Sequence, residues 1–170
     1  MQINRVLKWL TAGTLLLALL LVNLSIFQKE QVLKKGNLVI MELAPVDPRS
    51  LMQGDYMALD YALARQLYQQ LESQSQARLA STGEIVVELD EQHRAVDARL
   101  AQGEMLKPQE VLMKYHLANH ALHIGTPSYF FQEGHAERFE KARYGEFRVG
   151  SDGSALLTYL LDAQGKRILP

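Results

Sequence analysis

The longest hydrophobic stretch of the chain lies near its N-terminus. Residues 9–28 contain no charged side chain, and eight of these twenty residues are leucine. Twenty helical residues extend for roughly 30 Å, which is about the hydrocarbon thickness of a bilayer. Basic side chains flank the stretch on both sides, and they are Arg5, Lys8, Lys29, Lys34 and Lys35. The pattern therefore predicts a transmembrane anchor over residues 9–28, preceded by a short tail (1–8) and followed by a tether (29–36).

A cleavable signal peptide is the alternative interpretation of this stretch. Such peptides have apolar cores of roughly 7–15 residues that end at a small-x-small cleavage site. Residues 22–27 read Val-Asn-Leu-Ser-Ile-Phe and contain no Ala-x-Ala, so the sequence favours an uncleaved anchor. The flanking charges barely discriminate orientation, but long domains translocate largely regardless of charge. We expect a single-pass protein of the cell inner membrane, with its N-terminus cytoplasmic and its C-terminal domain periplasmic or extracytoplasmic.

After Gly36 the hydrophobic positions alternate with a period of two more often than with a helical period. The predicted strands are 38–43, 57–63, 84–90, 95–100, 110–117, 122–124, 147–149 and 155–161. Helices are predicted at 65–79, which contains no Gly or Pro, and at 133–143, which begins with acids and ends with basic residues. The expected fold class is α+β, with an N-terminal transmembrane helix followed by a mainly antiparallel β domain with two short helices over residues 37–170.

Net charge and the absence of cysteine limit the possible chemistry. Beyond residue 35 the chain has thirteen Lys and Arg against eighteen Asp and Glu, a net charge of −5. A mildly acidic domain without a basic stripe is poorly suited to gripping phosphates, so we expect no nucleic-acid partner. With no cysteine in the chain, disulfides, thiol nucleophiles and thiolate metal sites are ruled out.

One loop concentrates residues that could carry function. The segment 45–56 contains two prolines, and Arg49 can reach either Asp47 or Asp55. Gly54 can adopt backbone angles that are closed to other residues. The favoured interpretation is a structural crossover in which Asp55 caps loop N–H groups and Tyr56 closes the core. The alternative is a ligand or partner site, because exposed rigid loops often carry function.

Residues 54–61, Gly-Asp-Tyr-Met-Ala-Leu-Asp-Tyr, satisfy the pattern G-D-Y-x-x-L-x-Y at every fixed position, including Leu59 and Tyr61. The chain resembles the GDYxxLxY family of bacterial membrane-anchored proteins, and segments 45–50, 129–134 (with Glu133) and 144–149 also look like that family. The resemblance implies an N-terminal anchor and multi-span membrane proteins as neighbours. It implies no assigned activity. We therefore expect a non-enzymatic envelope domain that associates with the lipid bilayer and with multi-span membrane proteins.

A hydrolase is the main rival to this interpretation. Ser50 precedes Gly54 and Asp55 much as the nucleophile of membrane signal peptidases precedes a Gly-Asp pair, and Asp55 with Glu133 could form a carboxylate site. A serine nucleophile needs a base such as a desolvated lysine. Lys107 and Lys114 are the only lysines in the middle of the domain, and neither is suitably placed in sequence. We nominate no catalytic residue.

Three histidines suggest a metal-sensing alternative. His116, His120 and His123 would share one face of a helix, but Asn119 and His120 fit a two-residue hairpin turn better. In a hairpin, His116 and His123 oppose each other, His120 lies in the turn, and Lys114 shares their face. Two imidazoles beside a cation fall short of the three or four ligands that zinc usually has. We expect no cofactor, and the histidines are only weak metal candidates.

Overall fold

The computed structural model describes residues 3–44, 52–53, 56–73, 80–132 and 134–169. Its first element, α1 (Ile3–Lys35), is a single helix of 33 residues and is about 50 Å long. The part from Leu7 to Lys35 is long and apolar enough to cross a membrane, and none of its most hydrophobic window is buried against the rest of the chain. The segment predicted as a separate tether, 29–36, is helical as far as Lys35.

The rest of the described chain is mainly β-structure, as predicted. The remaining elements are, in chain order, β1 (Asn37–Glu42), β2 (Met52–Gln53), β3 (Tyr56–Ala58), α2 (Ala62–Ser73), β4 (Thr82–Leu89), β5 (Ala95–Leu100), β6 (Glu110–Ala118), β7 (Ala121–Ile124), β8 (Ser128–Phe130), α3 (Ala136–Phe139), β9 (Tyr144–Val149), β10 (Ala155–Leu161) and β11 (Arg167–Ile168). These elements confirm the α+β class, with a long N-terminal helix and two short helices.

The strands form three antiparallel sheets within the described residues. Two sheets have four strands each, in the orders β1-β9-β10-β11 and β5-β4-β6-β7. The third has the order β2-β3-β8 and carries the end of the Gly-Asp-Tyr motif. Every ladder between neighbouring strands is antiparallel, so short turns can join most of them.

One hydrophobic core joins the two four-stranded sheets. Alternate side chains of β1 and β9 point into it, and Val39, Met41 and Phe147 are fully buried. Ile85 and Met113 enter it from β4 and β6. Helix α2 is amphipathic and contributes Leu63, Ala64 and Leu67 to the same core. Burial of each such large side chain stabilises the fold by about 1.5–3 kcal/mol, so the two sheets and the helix form one unit.

Helix α2 begins earlier than predicted, and the preceding strand is correspondingly shorter. The alternation of apolar residues predicts a strand over 57–63, whereas β3 ends at Ala58 and α2 begins at Ala62. The carboxylate of Asp60 accepts a hydrogen bond from the N–H of Tyr61 at 2.8 Å and pairs with Arg65 Nε at 2.5 Å. An acidic side chain just before the first turn satisfies a free N–H group and favours helix initiation there. Residues 74–79 of the predicted helix lie outside the described residues.

The second short helix is smaller than predicted. The prediction extends over 133–143, but α3 spans only Ala136–Phe139. The C-terminal part of the predicted helix pairs with the first sheet instead. The N–H of Arg143 donates to Leu161 O, and the carbonyl oxygen of Arg143 accepts from the N–H of Leu43, both at 2.8 Å. Sheet pairing thus competes with the helix for the same backbone groups.

The passage from α1 into the first sheet contains no loop. The N–H of Gly36 donates to the carbonyl oxygen of Val32 at 2.8 Å, and β1 starts at the next residue. From the neighbouring strand, Arg148 Nη1 donates to the carbonyl oxygen of Gly36 at 3.2 Å. A Cβ at Gly36 would come within 3.0 Å of the carbonyl oxygen of Val149 and would overlap that of Val32. Only glycine fits this close approach, so the helix is joined rigidly to the sheet.

We predict that Gly36→Ala destabilises the domain by about 1–3 kcal/mol, because the added methyl group meets backbone atoms that cannot move aside. Calorimetric melting of the full chain in detergent measures this. Gly13→Ala is the matched control: a Cβ there meets no atom within 4 Å, and alanine favours the helix. Equal melting temperatures for Gly36→Ala and the wild type would contradict the rigid junction.

Candidate functional site

The residues nominated around the Gly-Asp-Tyr motif fall partly outside the described residues. Those outside are Asp47, Arg49, Ser50, Gly54, Asp55 and Glu133. Tyr56 lies half-buried on β3, where its ring packs against Phe130 at 5.6 Å. Leu59 and Tyr61 are buried, with 5% and 2% of their surface exposed. Two of the three motif side chains that the structure describes therefore belong to the core.

Tyr61 is held in an apolar environment. Its ring packs edge-to-face on Phe147, with centroids 5.4 Å apart, and its hydroxyl is buried without a hydrogen-bond partner in the described structure. Burial, and to a lesser extent the charge of Asp60, raises the pKa of Tyr61 well above its usual value. The hydroxyl stays protonated at neutral pH, so Tyr61 acts as a core residue and is poorly suited to proton transfer.

A small polar cleft lies where the start of α2 meets the β6–β7 turn. It has a volume of about 190 Å³. Its lining residues are Asp60, Arg65, Tyr68, Gln69, His120, Ala121 and Leu122. The two charged groups at this cleft, Asp60 and Arg65, pair with each other. Because the two charges neutralise each other, we assign this ion pair to stabilising the start of α2 and not to binding a ligand.

The aromatic run at residues 129–131 is divided by the alternation of β8. Tyr129 and Phe131 pack on Phe139 of α3, with ring centroids 5.2 and 5.1 Å apart. Phe130 points the other way and has 73% of its surface exposed. The two flanking rings of the run therefore pack against the core.

The histidine hairpin forms as predicted. Asn119 and His120 have φ values of 51° and 57°, as in the two-residue turns that match the twist of a hairpin. His116 on β6 is directly opposite His123 on β7, and their rings stack with centroids 5.1 Å apart. Among the described residues there is no group of three or more His, Cys, Asp or Glu that could hold a metal ion. The structure thus brings two of the three histidines together.

The two central lysines are paired at the surface. Lys107 Nζ lies 3.7 Å from Glu110, and Lys114 Nζ lies 3.3 Å from Asp152. Both ammonium groups are more than half exposed. A lysine that activates a serine must be desolvated, and neither of these two is. Hydrogen bonds from Ser154, helped by Lys114, lower the pKa of Asp152 to about 2.

A cleft of about 480 Å³ lies beside the end of α1, and we call it the membrane-proximal cleft. Its lining residues are Leu33 of α1 together with Glu146, Arg148, Leu157, Thr158, Tyr159 and Arg167 of the first sheet. The Glu146 carboxylate is almost fully buried and accepts two hydrogen bonds from Arg167, both at 3.0 Å. The guanidinium of Arg167 also stacks on Tyr159, 4.4 Å from the ring centroid. The bidentate ion pair between Arg167 and Glu146 forms the floor of the cleft and holds both side chains in place.

Sequence reasoning did not single out this cleft, although part of it can be found in the sequence. Glu146 and Arg148 are two residues apart in a strand, so they lie on the same face, opposite Phe147. Two opposite charges on one side of a mainly apolar strand are a usable indication of an outward polar site. Arg167 and Leu33 come from segments far away in sequence, and no local pattern relates them to β9.

Comparison with known proteins identifies one family. The sequence model of a family described as GDYXXLXY protein matches residues 18–160. The match thus includes the end of the anchor, the motif, the histidine hairpin and strands β9 and β10. Neither the curated proteins nor the solved structures contain a significant match.

We predict that Tyr61→Phe keeps or raises stability at neutral pH by up to about 1 kcal/mol, because it removes an unpaired buried hydroxyl. The pKa of Tyr61 is higher in the folded than in the unfolded chain, so the wild type loses stability as pH rises above about 10, where the unfolded chain releases the proton first. Between pH 9 and 11 it should lose about 1 kcal/mol more than Tyr61→Phe. Denaturant titrations at both pH values test this, and parallel losses would refute it.

We also predict that the full chain binds zinc no tighter than micromolar, because two stacked imidazoles supply too few ligands. Calorimetry in detergent, with His120→Ala and His123→Ala as paired variants, measures the affinity. Weak binding should depend on His123 and be indifferent to His120. Sub-micromolar binding that His120→Ala abolishes would show that the hairpin gathers a third ligand.

Proposed function

The chain belongs to the GDYXXLXY protein family, and from this premise we propose that it is a non-enzymatic domain of the bacterial cell envelope that works through association with multi-span membrane proteins. In this proposal α1 spans the inner membrane once, with the N-terminus in the cytoplasm and residues after about 36 in the periplasm. The observation that carries the proposal is the direct passage from the helix into the first sheet at Gly36.

A rigid junction supports a role in association because it couples the orientation of the helix to the orientation of the folded domain. A flexible tether would let the domain rotate and tilt freely above the bilayer. Here the N–H of Gly36 continues the helix by donating to Val32, and Arg148 holds the carbonyl oxygen of the same glycine. A membrane protein that holds the anchor in one orientation therefore also orients the folded domain.

The anchor itself carries a group suited to helix–helix contact. Asn23 lies within the charge-free run, and its Nδ2 donates to the carbonyl oxygen of Leu19 at 2.8 Å. A carboxamide has two N–H donors and one acceptor, so this bond leaves part of its capacity unused. Polar side chains in hydrocarbon commonly hydrogen-bond across helices. Asn23 thus offers a contact point for a neighbouring membrane helix.

The hydrolase alternative has less support. Its serine version needs a desolvated base near Ser50, and the two central lysines are exposed and paired with carboxylates. Its carboxylate version depends on Asp55 and Glu133, which both lie outside the described residues. No observation on the described residues favours it over association.

The test is to decouple the anchor from the domain. We predict that Gly-Ser-Gly-Ser inserted between Gly36 and Asn37 abolishes, or reduces at least about tenfold, the recovery of the multi-span proteins that cross-link to the wild type in native membranes. A tenfold loss corresponds to about 1.4 kcal/mol of coupling. Mass spectrometry of the cross-linked partners provides the readout.

The same insertion between Glu91 and Gln92, in the exposed turn between β4 and β5, is the matched control and should leave the partner set unchanged. Asn23→Leu should weaken recovery with the domain still folded. The proposal fails if the wild type captures no membrane protein beyond a helix-only control, or if the partner set survives decoupling of the anchor.

A further inference from the structure

The membrane-proximal cleft lies at the height of the lipid headgroups when α1 spans a bilayer. The charge-free run ends at Gln28, and Leu33, which lines the cleft, follows five residues later. Five helical residues rise roughly 7 Å. Because headgroups add roughly 5–8 Å on each side of the hydrocarbon layer, Leu33 comes to lie among them. The junction at Gly36 then holds Arg148 close to this height, because Arg148 pairs across from Leu38, two residues along the chain from Gly36.

The charge around the cleft is opposite in sign to that of the domain as a whole. Six cationic side chains meet three anionic ones at this end of the molecule, and they are Lys29, Lys34, Lys35, Lys114, Arg148 and Arg167 against Glu30, Glu146 and Asp152. The chain beyond residue 35 has a net charge of −5. Positive charge is thus concentrated where the domain faces the membrane, and an anionic surface attracts it.

Within the cleft, Arg148 is the cation available to a ligand. One of its N–H groups donates to the carbonyl oxygen of Gly36 at 3.2 Å, and no carboxylate of the described residues lies within ion-pair distance of it. A guanidinium has five N–H donors. Arg148 therefore keeps donors for a second acceptor while its position is fixed by the backbone.

The neighbouring groups prepare the cleft for an anion. Arg167 neutralises Glu146, so this buried carboxylate does not repel a negative ligand. Arg167 uses two of its donors on Glu146 and remains about half exposed, with its plane held against Tyr159. Arginine forks bind phosphate oxygens with good geometry. Leu33 and Leu157 supply apolar contact on the same cleft.

We propose that the membrane-proximal cleft binds the phosphodiester of an anionic phospholipid headgroup, with Arg148 donating to the phosphate oxygens and Arg167 supporting it from the floor. The lipid's acyl chains lie along the anchor below Leu33. This contact thereby holds the domain against an anionic membrane surface, in addition to the transmembrane span. This inference rests on the proposed membrane span of α1 and is independent of the proposed association with membrane proteins.

Native mass spectrometry of the full chain in detergent tests the proposal. The lipids are phosphatidylglycerol and phosphatidylcholine of identical acyl chains, added at equal concentration. We expect the wild type to retain phosphatidylglycerol about tenfold better than phosphatidylcholine, as a charge-assisted guanidinium–phosphate contact implies. Equal retention of the two lipids would overturn the proposal.

Variants locate the site. Arg148→Gln should abolish the preference for phosphatidylglycerol, and Arg148→Lys should keep only part of it, because the charge remains but the fork of donors is lost. Arg138→Gln is the matched control, since it removes the same charge from an exposed position of α3 outside the cleft. Equal losses in Arg138→Gln and Arg148→Gln would show general attraction instead of a site. A preference for phosphatidylglycerol that persists unchanged in Arg148→Gln would overturn the assignment to this cleft.

A final competition experiment distinguishes a site for lipid from a site for a soluble phosphate compound. Glycerol phosphate shares the phosphate chemistry of the headgroup and lacks acyl chains. At millimolar concentration it should leave bound phosphatidylglycerol in place. Full displacement by glycerol phosphate would overturn the assignment to lipid and make the cleft a site for a soluble ligand.

Discussion

The junction at Gly36 is the constraint on which the other features of the molecule depend. A helix that ends in a free loop leaves its last carbonyl groups to water, whereas here Arg148 donates to the carbonyl of Gly36 and Gly36 itself completes the final turn. The absence of a side chain at residue 36 allows the backbone of Val149 to approach. Helix α1 and the first sheet are consequently joined without an intervening loop.

Buried charge in the domain follows a consistent rule. Glu146 is held by Arg167 and Thr158, and Glu110, which is also buried, is held by Arg99 and by the N–H of Lys107. The N–H of Lys107, and then Arg99, lowers the pKa of Glu110. A buried carboxylate is costly unless hydrogen bonds and an opposite charge compensate it. Both sites meet this condition with partners that stay partly exposed, so one face of each arginine remains open to solvent.

The motif that identifies the family contributes mainly to folding in the part that the structure describes. Leu59 and Tyr61 enter the core, and Asp60 between them initiates α2. Tyr56 and the exposed Phe130 form the outer side of the same small sheet. Packing at one crossover therefore accounts for the fixed positions Leu59 and Tyr61 of this pattern without any catalytic role. The buried charged residues that the structure describes, Glu110 and Glu146, lie outside the motif.

The long apolar helix, the α+β class, most of the strands and the histidine hairpin could all be predicted from the sequence alone. These features depend on local periodicity and on turn residues such as Asn119, which the chain shows directly. Tertiary structure decided where strand gives way to helix at Asp60, because a capping contact outweighs alternation there. It also decided that α3 is short, since the first sheet takes the backbone of Arg143. The membrane-proximal cleft required Leu33, Glu146 and Arg167 to meet, and contacts over such sequence distances leave no local pattern to find.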